Sequence, residues 1–308
     1  MSAVRLATHA GSWYNDNPTE LGQELNDHLK QAVSVSKEVK ALIVPHAGYR
    51  FCARTAAWSW KHVDSSRIEK VFVLGPSHHK YMDRCALPEK GITHYQTPFG
   101  NIALDIPVIE RLRSMNIFAQ MTLAEDQEEH SIEMMLPFLN HVMGGKGFKL
   151  IPICVGVLNS DKEAFFAEKL YDYFADPSTL FVISSDFCHW GARFRYTYTM
   201  AESQQKGHNF NQAIEHLDRI GIDIIERQKP QDFTTYLRIH GNTICGRHPI
   251  GILLQLCAKA QPAESLETKF LHYSQSGPVP TSNGSCVAYG SLITVQKKPL
   301  VTSTGRAQ

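Results

Sequence analysis

Four short, almost continuous apolar runs constrain the fold of this 308-residue chain more than any other feature. They lie at residues 40–44, 70–74, 149–157 and 180–184, and none shows the polar alternation of a half-exposed strand. Strands of this kind fit a sheet that is covered on both faces. Segments with helical spacing of apolar residues separate the runs, which predicts an α/β fold with helices on both sides of the sheet.

The helical patterns begin at Asn17, where Pro18 takes the first helical position, which suits proline. Ser160 is the predicted N-cap of the helix that begins at residue 161. Residues 83–106 show no regular pattern, and two antiparallel strands at 270–274 and 286–295 close the fold. We predict helices at about residues 18–35, 53–62, 107–115, 131–143, 161–174, 204–226, 230–239 and 249–260.

No linker-like stretch or repeat divides the chain. We therefore expect a single three-layer α/β domain over residues 1–297, with a mostly parallel central sheet plus antiparallel strands. Residues 298–308 are predicted to form a flexible tail.

The composition excludes several classes of partner. With 31 basic and 30 acidic residues, the chain offers no charge pattern for nucleic acid. No apolar run reaches the ~18 residues of a membrane helix, and the N-terminus lacks a signal-peptide profile. The seven cysteines include no Cys-x-x-Cys pair, so reduced thiols are expected. These features predict a cytoplasmic protein that is small enough to enter the nucleus.

Three of the predicted strands lead directly into loops that carry histidine. His46 follows the first strand, His78 and His79 follow the second, and His189 follows the fourth. Ligands of open α/β sheets bind beyond the carboxyl ends of the strands. A lone histidine after a strand is usually a hydrogen-bonded loop residue, but three such loops favour a shared site. Because side chains alternate in extended chain, only one of His78 and His79 is expected to be a metal ligand.

Cys245 is the fourth candidate for this site. It lies just ahead of the helix predicted from Pro249, where exposed N–H groups favour a thiolate, and Gly246 allows a close approach of the backbone. The alternative is a buried, inert cysteine. Two imidazoles and one thiolate leave a coordination position for water or substrate and suit copper, iron or zinc better than magnesium or calcium.

Other residues are candidates for the surroundings of the site. Trp13 lies in a segment that can fold over the pocket or simply pack at the N-terminus. His130 lies in an acidic segment at 125–133, which is interpreted either as a solvated helix start or as a source of groups that orient a ligand. Arg193 can bind an anionic group or lie in solvent.

The histidine and cysteine segments together resemble the Memo family, the mediators of cell motility driven by receptor tyrosine kinases. The resemblance covers nearly the whole chain and rests on six segments in order: HAGSWY at 9–14, PHAGY at 45–49, GPSHH at 75–79, EHSIE at 129–133, SSDFCHW at 184–190 and NTICGRHPIG at 242–251. It implies a fold similar to class III non-haem-iron extradiol dioxygenases. It also implies metal ligands at His46, His78 and Cys245, with His189 in the acid–base position.

We extend this assignment to the neighbouring side chains. Asp186 joins His189 as a catalytic candidate, and Trp13, Arg193 and His79 are candidates for binding a substrate or peptide. Cys245 stands where those dioxygenases carry a carboxylate ligand, which counts against ring cleavage.

The resemblance implies copper or iron binding, redox signalling and recognition of phosphotyrosine segments of receptors during cell migration. Three functions follow from these residues. The first is a redox-active metal protein with oxidase- or dioxygenase-like chemistry, and the second is an adaptor that binds phosphotyrosine peptides in the same cleft. The third, ranked last, is a metal-free hydrolase with Cys245 as nucleophile and His189 as base.

Overall fold

The computed structural model describes residues 3–34, 38–260 and 265–297. The predicted tail at 298–308 lies outside these residues. The strands are β1 (Ala3–Arg5), β2 (Val39–Val44), β3 (Lys70–Pro76), β4 (Cys85–Leu87), β5 (Ile92–Thr97), β6 (Gly100–Ala103), β7 (Ala119–Gln120), β8 (Lys149–Val155), β9 (Thr179–Ser184), β10 (His189–Trp190), β11 (Leu266–Gln275) and β12 (Cys286–Gln296).

The helices alternate with these strands through most of the chain. They are α1 (Pro18–Gln31), α2 (Tyr49–Trp60), α3 (Ile106–Ser114), α4 (Leu123–Glu128), α5 (Leu136–Met143), α6 (Ser160–Ala175), α7 (Ala201–Gln205), α8 (Phe210–Glu226), α9 (Pro230–His240) and α10 (Arg247–Lys259). None of the helices in the described part of the chain is long and apolar enough to cross a membrane.

A nine-stranded mixed sheet forms the centre of the fold, in the order β10-β12-β2-β9-β3-β8-β4-β7 with β11 paired to β12. Its middle strands β2, β9, β3 and β8 are parallel, whereas β12 is antiparallel to β2 and to β11. The predicted mixture of a parallel core and antiparallel additions is therefore confirmed. A smaller sheet in the order β1-β5-β6 lies beside it.

Two groups of helices flank the central sheet. Helix α2 packs against β2 and β12 and contacts α1 and α5, while α6 and α10 pack against each other and against β9. The four central strands are buried almost throughout, with Leu42, Val73, Ile151 and Val182 all fully inaccessible. Burial on this scale explains why their sequences are continuously apolar.

Several local predictions were wrong. Residues 83–106 contain β4, β5 and β6, and the helix expected at 204–226 is divided into α7 and α8. The helix expected from residue 131 begins only at Leu136, after a 3₁₀ turn at Glu133–Met135. Asn159, not Ser160, caps α6, because its side-chain oxygen accepts the N–H of Lys162.

The topology directs three loops to one edge of the sheet. Strands β2, β9 and β3 are parallel neighbours, so their carboxyl ends lie side by side. The residues that follow them carry His46, His189 and His78. This edge is where ligands bind in open α/β sheets.

Candidate metal centre

Three imidazoles meet at this edge. His46 follows β2, His78 follows β3, and His130 lies between α4 and the 3₁₀ turn. One ring nitrogen from each histidine lies within 4.8 Å of those of the other two. The rings of His78 and His130 are stacked with centroids 4.4 Å apart, and the His46 ring stands edge-on to both.

Hydrogen bonds fix the tautomer of His46, which is 2% exposed. The Ser184 hydroxyl donates its hydrogen bond to the carbonyl oxygen of Ser131 at 2.7 Å. Its oxygen therefore accepts a hydrogen bond from the Nδ1–H of His46, also at 2.7 Å. The lone pair on Nε2 is therefore free for a metal. Burial, followed by the nearby charges of His78 and other histidines, lowers the pKa of His46 well below its usual value.

A carboxylate orients His78 in a similar way. Glu129 is 2% exposed; its Oε2 accepts the backbone N–H of His78 at 2.6 Å, and its Oε1 lies 2.9 Å from Nδ1. A carboxylate on one ring nitrogen leaves the other free and makes it more basic. Partial burial opposes the charged form, but hydrogen bonds to Cys245 and Glu129 and their charges raise the pKa of His78 to about 10.

The Cys245 thiol lies against the cluster at His46. Its Sγ lies 3.2 Å from His46 Nε2 and accepts the backbone N–H of Asp186 at 3.2 Å. Gly246 is required here, because an added Cβ would stand 2.3 Å from the Cβ of Ser185. The expected close approach of the backbone at Gly246 is thus confirmed.

The expected easy ionisation of Cys245 was wrong for the metal-free protein. The residue does lie just ahead of a helix, α10, which begins at Arg247. Burial nevertheless raises the pKa of the thiol, and the opposing hydrogen bond to His78 does not reverse this. A nearby cation is what such a thiol requires to become a thiolate.

His130 lies within the imidazole cluster, whereas a group that only orients a ligand would lie behind it. Its ring faces both His46 and His78, and its side chain is 13% exposed. Burial and the charge of His78 lower the pKa of His130 to about 3, so the ring is neutral and has a lone pair to offer. His130 can therefore coordinate a metal directly, in addition to packing against the other two imidazoles.

His189 and Asp186 lie on the loop after β9. His189 Nδ1 lies 2.9 Å from the carbonyl oxygen of Phe187 and 3.2 Å from that of Thr243, so it carries the proton and Nε2 keeps its lone pair. Burial lowers the pKa of His189, which favours the neutral base. Asp186 Oδ1 accepts the backbone N–H of His46 at 2.8 Å, and burial raises the pKa of the Asp186 carboxyl to about 7.

The cluster opens into a cleft of about 1010 Å³. Trp13 forms part of its wall and packs against His130 with ring centroids 4.6 Å apart, on a loop that turns at Gly11 with φ 78°. Arg193 and His189 line the same cleft. His79 does not line it: its side chain is 43% exposed and its Nδ1 lies 3.7 Å from Glu128.

The acidic segment at 125–133 differs from the solvated helix start that was one interpretation of it. Helix α4 ends at Glu128, and the carboxylates of Asp126, Glu129 and Glu133 are all buried. The pattern EHSIE was recognised, but the role of Glu129 in holding His78 was missed. The adjacent acid in Glu129-His130 was the available signal, since metal-binding histidines commonly pair with a carboxylate.

The donor set fits a transition metal. In tetrahedral coordination with Zn–N and Zn–S bonds of about 2.0 and 2.3 Å, a nitrogen and a sulfur lie about 3.5 Å apart. The 3.2 Å between His46 Nε2 and Cys245 Sγ is close to this separation. The imidazoles of His46 and His78 and an adjacent thiol suit copper, iron or zinc, and no hard oxygen cage for magnesium or calcium is present among the described residues of the cluster.

A mixed β-sheet flanked by helices carries an imidazole cluster beyond the carboxyl ends of its parallel strands. This chain is therefore an α/β protein with a candidate metal centre in an open cleft. The sequence profile of the family described as "Memo-like protein" matches residues 5–293. The chain belongs to this family.

Individual relatives agree with this assignment. A zebrafish (Danio rerio) protein described as "Protein MEMO1" is 44% identical over 294 residues, which cover 94% of this chain and 97% of the relative. The human protein of that description is 43% identical, covering 93% and 96%. "Protein memo-1 homolog" of Caenorhabditis elegans is 40% identical, covering 94% and 81%. A crystal structure of an uncharacterized Escherichia coli K12 protein aligns with a TM-score of 0.47 at 12% identity, covering 81% of this chain and 98% of that one.

Proposed function

We propose that this protein binds copper or iron through His46, His78 and Cys245 and acts in redox-linked signalling from receptors to the cytoskeleton, in the cytoplasm or nucleus. The observation that carries the metal proposal is the cluster of three imidazoles whose ring nitrogens lie within 4.8 Å of one another, with the Cys245 thiol against it. Membership of the Memo-like family supports the signalling role that the resemblance implies. Zinc is the redox-inert alternative for the same donors.

The residues around the proposed ligands have separable tasks. Ser184 and Glu129 hold the rings of His46 and His78 in the tautomers that leave a lone pair for the metal. The free Nε2 of His189 can accept a proton from a molecule bound in the cleft. Copper or iron held by these residues would supply one-electron redox chemistry. Because the resemblance implies Cys245 at the position of a carboxylate ligand, we do not propose ring cleavage.

Substitution of the ligands tests this proposal. His46→Ala, His78→Ala and Cys245→Ala should each strongly lower the affinity for added metal. His79→Ala is the matched control, because its ring lies outside the cleft, and should bind as the unchanged protein does.

Cobalt(II) as the probe reports which groups coordinate. A thiolate-to-cobalt absorption band should be present in the unchanged protein and absent in Cys245→Ala. If the band is missing from the unchanged protein and His130→Ala abolishes binding, then His130 and not Cys245 is the third ligand.

A specific observation favours a second function, an adaptor that binds phosphotyrosine peptides without catalysis. Arg50 and Arg193 both line the cleft, each guanidinium lies over a neighbouring aromatic ring, and neither pairs with a carboxylate among the described residues. Unpaired guanidinium groups suit phosphate.

Calorimetry with a phosphorylated peptide and its unphosphorylated form tests the adaptor function. We expect tighter binding of the phosphorylated form, loss of the difference in Arg193→Ala, and retained binding after metal removal. Equal affinity for the two peptides would contradict phosphate recognition.

A further inference from the structure

A buried guanidinium lies behind the metal centre. Arg5 is 1% exposed, at the end of β1. Its Nη2 donates to the carbonyl oxygens of Asp126 and Glu129 at 2.7 and 2.8 Å, and its Nε lies 3.2 Å from Asp126 Oδ1. Its Nη1 donates to Glu133 Oε2 and to the carbonyl oxygen of Leu6. All three nitrogens of this side chain are therefore engaged.

These contacts converge on the segment that orients His78. Arg5 holds the backbone of Glu129, and the carboxylate of the same residue holds both the N–H and the ring of His78. The backbone N–H of Ser131 also donates to Glu129 Oε1, at 2.9 Å. A shift of this backbone would therefore move the group that sets the orientation of the imidazole.

Only arginine has the geometry for this task. Its planar fork presents five N–H donors in fixed directions, whereas the lysine ammonium is a single point with three. A lysine at position 5 would keep the charge near Asp126 and Glu133 but could not reach the Glu129 carbonyl at the same time. Arg5→Lys would therefore keep the positive charge but lose the contact with the Glu129 carbonyl, so it tests the geometry of the guanidinium separately from its charge.

We propose that Arg5 is a positioning residue of the metal centre, which sets the orientation of His78 through Glu129. This inference rests on the proposed metal-binding function. Arg5 itself does not touch the metal ligands. It fixes the backbone from which Glu129 reaches His78, so its loss allows the imidazole to leave the metal more easily.

The test is the rate at which bound cobalt(II) is released to excess chelator. Loss of a group that orients a ligand typically weakens metal binding about 10- to 100-fold. We expect Arg5→Lys to release cobalt about 10-fold faster or more. In a Glu129→Ala background, where the route to His78 is already cut, Arg5→Lys should add less than about 3-fold. In a His79→Ala background, in which all three proposed ligands are intact, it should keep its full effect.

Arg113→Lys is the matched control, because that arginine also donates to a backbone carbonyl and a side-chain oxygen but contacts Pro88 and Gln120, which do not line the cleft. It should leave the release rate unchanged. Should Arg5→Lys fail to fold, Tyr95→Phe takes its place. Tyr95 donates to the Asp126 carboxylate that seats Arg5, so its loss should show the same dependence on Glu129 with a smaller effect.

Three outcomes would overturn the inference. A folded Arg5→Lys protein that releases cobalt at the unchanged rate would refute the role of Arg5 and leave the proposed metal binding intact. An equal acceleration in the Glu129→Ala and His79→Ala backgrounds would mean that Arg5 only stabilises the fold. If the unchanged protein binds no cobalt, the proposed function fails and this inference fails with it.

Discussion

The dependence of metal affinity on pH follows directly from the structure of the metal-free cluster. A metal must displace the protons that its ligands carry. The pKa of His78 is about 10, and that of Cys245 is raised by burial, so protons remain on this pair at neutral pH. The pKa of His130 is about 3 and that of His46 is also lowered, so these rings carry none.

The magnitude can be worked out from these protons. Each displaced proton makes the affinity rise about tenfold per pH unit, or about 1.4 kcal/mol, as long as the pH is below the pKa of the group. Between pH 6 and 8 we therefore expect the affinity to rise about 100-fold if His78 alone loses a proton. The rise reaches about 10⁴-fold if the Cys245 thiol also does.

The assay is a competition titration of metal against a calibrated chelator between pH 6 and 8. Calorimetry in two buffers of different ionisation enthalpy then counts the protons released. Cys245→Ser should reduce the slope of metal affinity against pH by the contribution of the thiol proton. Glu129→Gln should reduce this slope above neutral pH, because His78 loses the carboxylate that raises its pKa. An unperturbed histidine site would titrate only near ~6.5. An affinity that is constant above pH 7 would therefore refute our account of the cluster.

Three further predictions concern the surroundings. Glu133→Gln should lower the free energy of unfolding by about 1.5–3 kcal/mol, measured by denaturant titration, because it removes the charge of one of the two buried carboxylates that pair with Arg5; a loss below about 0.5 kcal/mol would contradict this. Gly246→Ala should reduce metal binding by displacing Cys245, since its Cβ would clash with Ser185, whereas retained binding would show that this loop yields freely. Peroxide should oxidise Cys245 of the metal-free protein slowly at neutral pH and faster at higher pH, because burial raises the pKa of the thiol; mass spectrometry of its peptide at each pH would show this, and rapid oxidation at about pH 7 would contradict it.

The parts of the fold that could be predicted from the sequence are those with a strong local signal. The continuous apolar runs gave β2, β3, β8 and β9 within a few residues, because these strands are buried on both faces. Strand β5 was missed because its residues alternate irregularly between buried and exposed positions over Ile92–Thr97. The short strands around it have too few residues to show any period.

The site was predictable only where a residue follows a strand or precedes a helix. His46, His78 and Cys245 were placed near one another by that reasoning, and the structure brings them together. The contacts of Arg5 could not be predicted, because Glu133 lies 128 positions away and neither residue belongs to a local pattern. The high pKa of His78 likewise depends on the tertiary placement of Glu129.

Metal analysis of protein purified without an affinity tag tests the central claim most directly. The unchanged chain, expressed with copper and iron available, should retain one of these metals in stoichiometric amount. A variant in which His46, His78 and Cys245 are all replaced by alanine should retain none, while His79→Ala should match the unchanged protein. Retention that is equal in all three proteins, or a folded unchanged protein that holds no metal even after reconstitution, would contradict the account.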